Sequence, residues 1–179
     1  MNRYAKAAGI AALVWRFALT TGTGSIFAFL VARQAYQSAL LAPLFIVLSF
    51  AWGLAVFLIV QAALYAWNGQ TLPAALQRRM ARLLGVFVAA ALYLVAVVHL
   101  TSLYYAHQAD FEAFILLGRG DQSGIFAGLF WGGYVLLGGL LPIGLLFFAG
   151  RAGARATLLA CALVVLGGFA WLFVFIIGG

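Results

Sequence analysis

Residues 41–67 read LAPLFIVLSFAWGLAVFLIVQAALYAW, and no Asp, Glu, Lys or Arg interrupts them. As a helix rising 1.5 Å per residue this stretch is about 40 Å long, more than the roughly 30 Å hydrocarbon core of a bilayer. Strands of a membrane barrel need only about 9–11 residues with alternating polarity, and this run does not alternate. Pro43 stands in the first turn, where its missing N–H has no helical partner to lose. The stretch therefore predicts a membrane-spanning helix.

Working outward, the rest of the chain has the same character. It is 67% hydrophobic and 7% charged, against roughly 45–50% apolar and about 25% charged in a soluble domain. No water-soluble fold of 179 residues hides that much apolar surface. Inside a bilayer every backbone N–H and C=O must be paired within the protein, which leaves helices as the solution. The sequence predicts an all-α, polytopic transmembrane helix bundle of about five spans, in one domain: about 8–34, 42–67, 83–105, 125–148 and 157–177. The first has two readings, because Arg16 interrupts it. Either Arg16 snorkels to the interface and the span is Phe17 to Tyr36, or the span starts near Ala8 and Arg16 is buried among helices. The first is the cheaper, since a mid-membrane arginine costs at least about 2.5 kcal/mol. The N-terminus has the basic residues of a signal peptide but no small-x-small cleavage site, so it is expected to stay attached.

The net charge of +7 reads as a topology signal rather than a nucleic-acid surface, because the basic residues stand at the ends of apolar segments. Arg3, Lys6, Arg78, Arg79, Arg82, Arg151 and Arg155 share one face without an acid. Arg33 and Arg119 lie on the other face with all three acids, Asp110, Glu112 and Asp121. The positive-inside rule then places the N-terminus in the cytoplasm and the C-terminus outside. Cys161 is the single cysteine, which excludes a disulfide framework and a thiolate cluster.

Titratable groups gather near HQADFEAFILLGRGDQSG, residues 107–124, expected as an outer loop. His99, Tyr104, His107, Asp110 and Glu112 are the candidate quinone and proton-transfer residues, with no catalytic residue assigned. A quinone headgroup needs its two carbonyl oxygens hydrogen-bonded and two protons moved, which His, Tyr and carboxylate groups at a membrane interface can do. Against this, Tyr104 and Tyr105 suit an aromatic belt, and Asp110 and Glu112 suit solvated loop acids. His99 is deeper and needs a partner inside the bundle, structural or catalytic. Two histidines on or beside one helix cannot hold two haems, and their spacing with the acids resembles no compact metal-ligand set, so neither haem nor metal is expected. In the fourth span Gly128 and Gly132 form a small-xxx-small pair, Gly138, Gly139 and Gly144 add smooth surface, and Pro142 is expected to kink the helix.

The runs ARQAYQSALLAPLFIVLSFAWGLAVFL at 32–58, LYYAHQADFEAFILLGRG, and FWGGYVLLGGLLPIGLLF resemble the membrane subunit of the NrfD/polysulfide-reductase family. They cover about half the chain in the family's order and are similar to its C-terminal half, whole members having eight to ten spans in two four-helix bundles. The resemblance implies a membrane subunit of a quinone-linked respiratory oxidoreductase in the bacterial inner membrane. Its substrate would be a quinone or quinol, menaquinone or ubiquinone, and it would carry no redox cofactor of its own. Its partners would be a ferredoxin-like iron–sulfur subunit, a molybdopterin or cytochrome subunit, and membrane lipid. A non-catalytic membrane scaffold is the second reading. A small transporter is the third, for which only Gln61, His99 and Arg16 offer intramembrane polar groups.

Overall fold

The computed structural model describes residues 3–28, 39–70, 73–104, 109–118, 123–147 and 154–178, and every element among them is a helix. These are α1 (Arg3–Ala28), α2 (Leu41–Trp67), α3 (Ala74–Tyr104), α4 (Ala109–Leu117), α5 (Ser123–Gly128), a π-helical stretch (Leu129–Leu140), α6 (Leu141–Phe147) and α7 (Ala154–Gly178). The chain from α5 through α6 is one continuous rod. Among the described residues four helices are long and apolar enough to cross a membrane: Leu41–Trp67, Ala74–Tyr104, Gly124–Phe147 and Ala154–Ile177. The expected first span is where the count of about five differs. Helix α1 has 26 residues, but Arg16 and the polar run Thr20-Thr21-Gly22-Thr23 dilute its apolar character. It also runs unbroken through Arg16 rather than starting after it.

The four long helices alternate in direction. Leu41, Leu44 and Leu48 of α2 share a cluster with Val95 and Val98 of α3, Phe130 and Tyr134 of the π-helical stretch, Trp171 and Val174 of α7, and Ile115 of α4. A second cluster joins Ala55 and Leu58 of α2 to Ala81 and Leu84 of α3, Leu146 of α6, and Ala160, Cys161 and Val164 of α7. The N-terminal half of α2 thus meets the C-terminal halves of α3 and α7, and the order is up, down, up, down. Each buried leucine removed from water or lipid exposure adds packing contacts on every side, which is why the buried positions recur at helical spacing along each element.

Local sequence explains the ends. Leu40 accepts the first bond of α2, from Leu44 N–H at 3.0 Å, so Pro43 interrupts nothing. After Trp67, Asn68 caps the helix with its side-chain amide donating to the Leu64 carbonyl at 2.9 Å. Gly69 then takes φ +65°, and Gly69 and Gln70 donate back to Ala66 and Tyr65. This closing turn needs a left-handed residue, which glycine supplies without strain. Helix α3 begins nine residues before Leu83, because Ala, Leu, Gln, Arg and Met are strong helix formers. Arg78, Arg79 and Arg82 accordingly stand on helical turns rather than in a connection.

Two details of the rod go beyond the sequence reading. The backbone widens to i→i−5 bonding over twelve residues before Pro142, with Leu141 N–H donating to the Leu136 carbonyl. A proline crowds the carbonyl four residues before it, here Gly138, and the wider turn is one way the backbone accommodates it. The close helix contact is not at Gly128 or Gly132, where an added Cβ would meet nothing within 4 Å. It is at Gly138, whose Cβ would lie 2.7 Å from the Gly167 Cα of α7. Gly168 beside it receives the Trp52 indole.

Candidate functional site

At the end of the bundle where α2 begins, α4 lies across α3 and the rod. Its sequence, ADFEAFILL, has acids near the N-terminus, where the helix dipole favours them, and Gly118 at φ +64° terminates it. Glu112, Ile115 and Leu116 fall on one helical face by their i, i+3, i+4 spacing. Ile115 is buried in the core cluster and turns that face inward, carrying Glu112 with it. The Trp131 indole N–H pins the far end of α4 by donating to the Leu116 carbonyl at 3.1 Å.

The result is a pair. His99 Nδ1 and Glu112 Oε2 lie 2.7 Å apart, with the carboxylate side chain 4% exposed and the imidazole 17%. The Phe130 ring meets the His99 ring edge-on at 4.8 Å and fixes its plane. Hydrogen bonds of this length with an ionised partner are the strong kind, and they strengthen further away from water. With one proton between Nδ1 and Oε2 and another on Nε2 the pair is neutral, whichever atom holds the shared proton. Loss of one proton leaves a single negative charge. The arrangement therefore holds a shared proton at a fixed place near one end of the bundle.

Beside the pair is a cavity of about 30 Å³, walled by Leu44, Val98, Phe130, Trp171 and Phe175. That is room for water, not for a quinone ring. Trp171 stacks on Phe175 at 4.8 Å and tilts against Tyr134 at 6.1 Å, forming an aromatic floor below it. A larger cavity of about 290 Å³ opens at the other end of the bundle, between α2, α3 and α7, with Tyr65, Gln70, Gln77 and Thr157 as its polar groups.

Of the five candidates, the structure brings His99 and Glu112 together. Tyr104 ends α3 at 86% exposure, on the bundle's surface. Asp110 is in the first turn of α4, with its side chain outside the described residues, and His107 lies outside them altogether. The reading of Glu112 as a solvated loop acid is overturned by its burial, because the segment is a packed helix and not a loop. Phe130, Trp131 and Trp171 were not singled out in the sequence. The available signal was the i, i+3, i+4 pattern of FEAFILL beside a histidine that needed a partner. Among the described residues no group of three or more His, Cys, Asp or Glu gathers.

The chain matches the protein-family model described as polysulphide reductase, NrfD, over residues 1–179. It belongs to the NrfD family. No curated protein and no solved structure matches it. NrfD proteins are membrane subunits of quinone-linked oxidoreductases and work with iron–sulfur and molybdopterin subunits. The match takes in the whole chain, whereas the residues that carried the resemblance span about half of it. With its four membrane-compatible helices this NrfD chain is a multi-pass membrane protein.

Proposed function

We propose that this NrfD chain exchanges electrons between the quinone pool and an iron–sulfur subunit docked on its acidic end, and that His99 and Glu112 handle the accompanying proton. The supporting observation is the 2.7 Å contact between the two groups, buried beneath α4. His99 keeps more of its surface accessible than Glu112 does, so the imidazole is the member a quinone carbonyl reaches. Glu112 stands behind it as the proton store. Quinone reduction needs two electrons and two protons; the iron–sulfur partner would supply the electrons, the pair one proton at one carbonyl oxygen, and water at this end of the bundle the second proton at the other. Tyr104 at the end of α3 and Asp110 in the first turn of α4 border the same end of the bundle, and these two with His107 would form the mouth of the site. Menaquinone and ubiquinone both present the required carbonyl. The proposed setting is a bacterial inner membrane with the N-terminus in the cytoplasm, since Lys6, Arg78, Arg79, Arg82 and Arg155 all lie toward the other end.

The small cavity favours a second reading, a non-catalytic anchor, in which the pair only holds α4 in place. Quinol-linked turnover in membranes carrying His99→Ala and Glu112→Ala separates the two. The proposal expects a loss of roughly 100-fold or more in each with the protein still inserted, the usual worth of a positioned acid or base. An anchor role expects unchanged turnover and an iron–sulfur protein that copurifies without quinone.

A further inference from the structure

Helix α1 leans on α2 at the flank of the bundle and carries a cation that no described residue neutralises. The two helices run antiparallel. A Cβ on Gly24 would meet the Ala42 backbone, and Phe17 packs against Phe50 with ring centroids 5.3 Å apart. The Arg16 guanidinium occupies the hollow left by Gly53, 3.1 Å from where a Cβ would stand. Ser49 and Gly53 are roughly 12 and 18 Å along an α2 of about 40 Å. The side chain thus points toward the middle of the bundle, away from the nearer end, and does not snorkel.

At that depth Arg16 is still exposed. Among the described residues its hydrogen bonding amounts to one contact, from its terminal N–H to the Ser49 carbonyl at 3.5 Å. Thr20 and Thr23 donate their hydroxyls to the Arg16 and Leu19 backbone carbonyls, and among the described residues neither hydrogen-bonds the guanidinium. A guanidinium has five donors, and an intramembrane charge is retained only where it is paired. The missing partner must be an anion or strong acceptor that reaches α1 from outside this bundle. A second copy in the same orientation does not bring one. The chain has three acids, all within residues 110–121, beyond the end of α3. Of these, Glu112 already faces His99, at the level of Leu41 and Leu44 rather than Ser49 and Gly53.

We infer that the outward face of α1 around Arg16 is covered by a membrane-spanning helix from outside these 179 residues, which presents a carboxylate to Arg16 inside the bilayer. Trp15 and Leu19 flank Arg16 and are exposed, 69% and 56%, as an apolar rim for that helix. A cation paired at such a surface fixes both the depth and the rotation of the incoming helix, which apolar contacts alone do not.

The test places a photo-crosslinking benzoylphenylalanine at Trp15 or Leu19 of the full chain in its native membrane and identifies the joined peptide by mass spectrometry. The expected product is a peptide from outside these 179 residues with an Asp or Glu inside an apolar span. Crosslinking should persist in Arg16→Lys, disappear in Arg16→Gln, and return when Arg16→Glu is combined with an arginine at the partner's acid. The melting temperature of the purified chain distinguishes lost docking from lost folding, and the charge exchange decides the matter if Arg16→Gln proves unstable. Products that join two copies of this chain, products with lipid alone, or full crosslinking in Arg16→Gln would overturn the inference.

Discussion

Tyr134 and Glu112 are both polar side chains inside the bundle, and they illustrate opposite ways of bearing burial. Glu112 has His99 at 2.7 Å, whereas the Tyr134 hydroxyl has no partner among the described residues. Tyr134 borders a cavity of about 10 Å³, at the lower limit for one water. An unpaired buried hydroxyl costs about 1–3 kcal/mol, so Tyr134→Phe should leave the protein as stable as before or more stable by up to about that amount. Reversible unfolding in detergent measures this, and a loss of stability would show that the hydroxyl is hydrogen-bonded. The need of His99 for a partner was legible from its apolar neighbours. The identity of that partner was not, because Glu112 sits in a segment whose charged residues looked like a solvated connection.

At the scale of elements, the all-helical membrane class followed from the uncharged 41–67 run and the overall composition. What the sequence hid was which glycines matter. Spacing within one helix nominates Gly128 and Gly132, but the contact needs a small residue on the facing helix at the same level, and neither has one, whereas Gly138 meets Gly167 and Gly133 meets Ala170. Such pairing is a tertiary property that no single-helix pattern contains. Gly167→Ala should therefore cost about 1–3 kcal/mol through overpacking against the Gly138 backbone, while Gly132→Ala should be close to neutral. Thermal unfolding of the two variants side by side checks the difference. The π-helical stretch was equally hidden, since Pro142 signals a break but not how the preceding turns absorb it.

Across the whole molecule, the described basic residues other than Arg16 stand toward one end of the bundle and α4 with its acids at the other. This separation was readable from the sequence, because charges between apolar segments can only be at membrane surfaces. The reading of that separation as orientation predicts that a cysteine in place of exposed Tyr4 reacts with a membrane-impermeant maleimide from the cytoplasmic side. A cysteine in place of Tyr104 should react from the outside. Labelling of both from the same side would contradict the alternation of the helices.

The central claim is that Glu112 exchanges a proton when quinone is reduced. Redox-induced infrared difference spectra of membranes containing the complex test it most directly, because a carboxyl C=O band reports protonation of one side chain. The account predicts a carboxyl band in the quinone-minus-quinol spectrum that disappears in Glu112→Gln and shifts in His99→Ala. A carboxyl region identical in the parent and Glu112→Gln would contradict it.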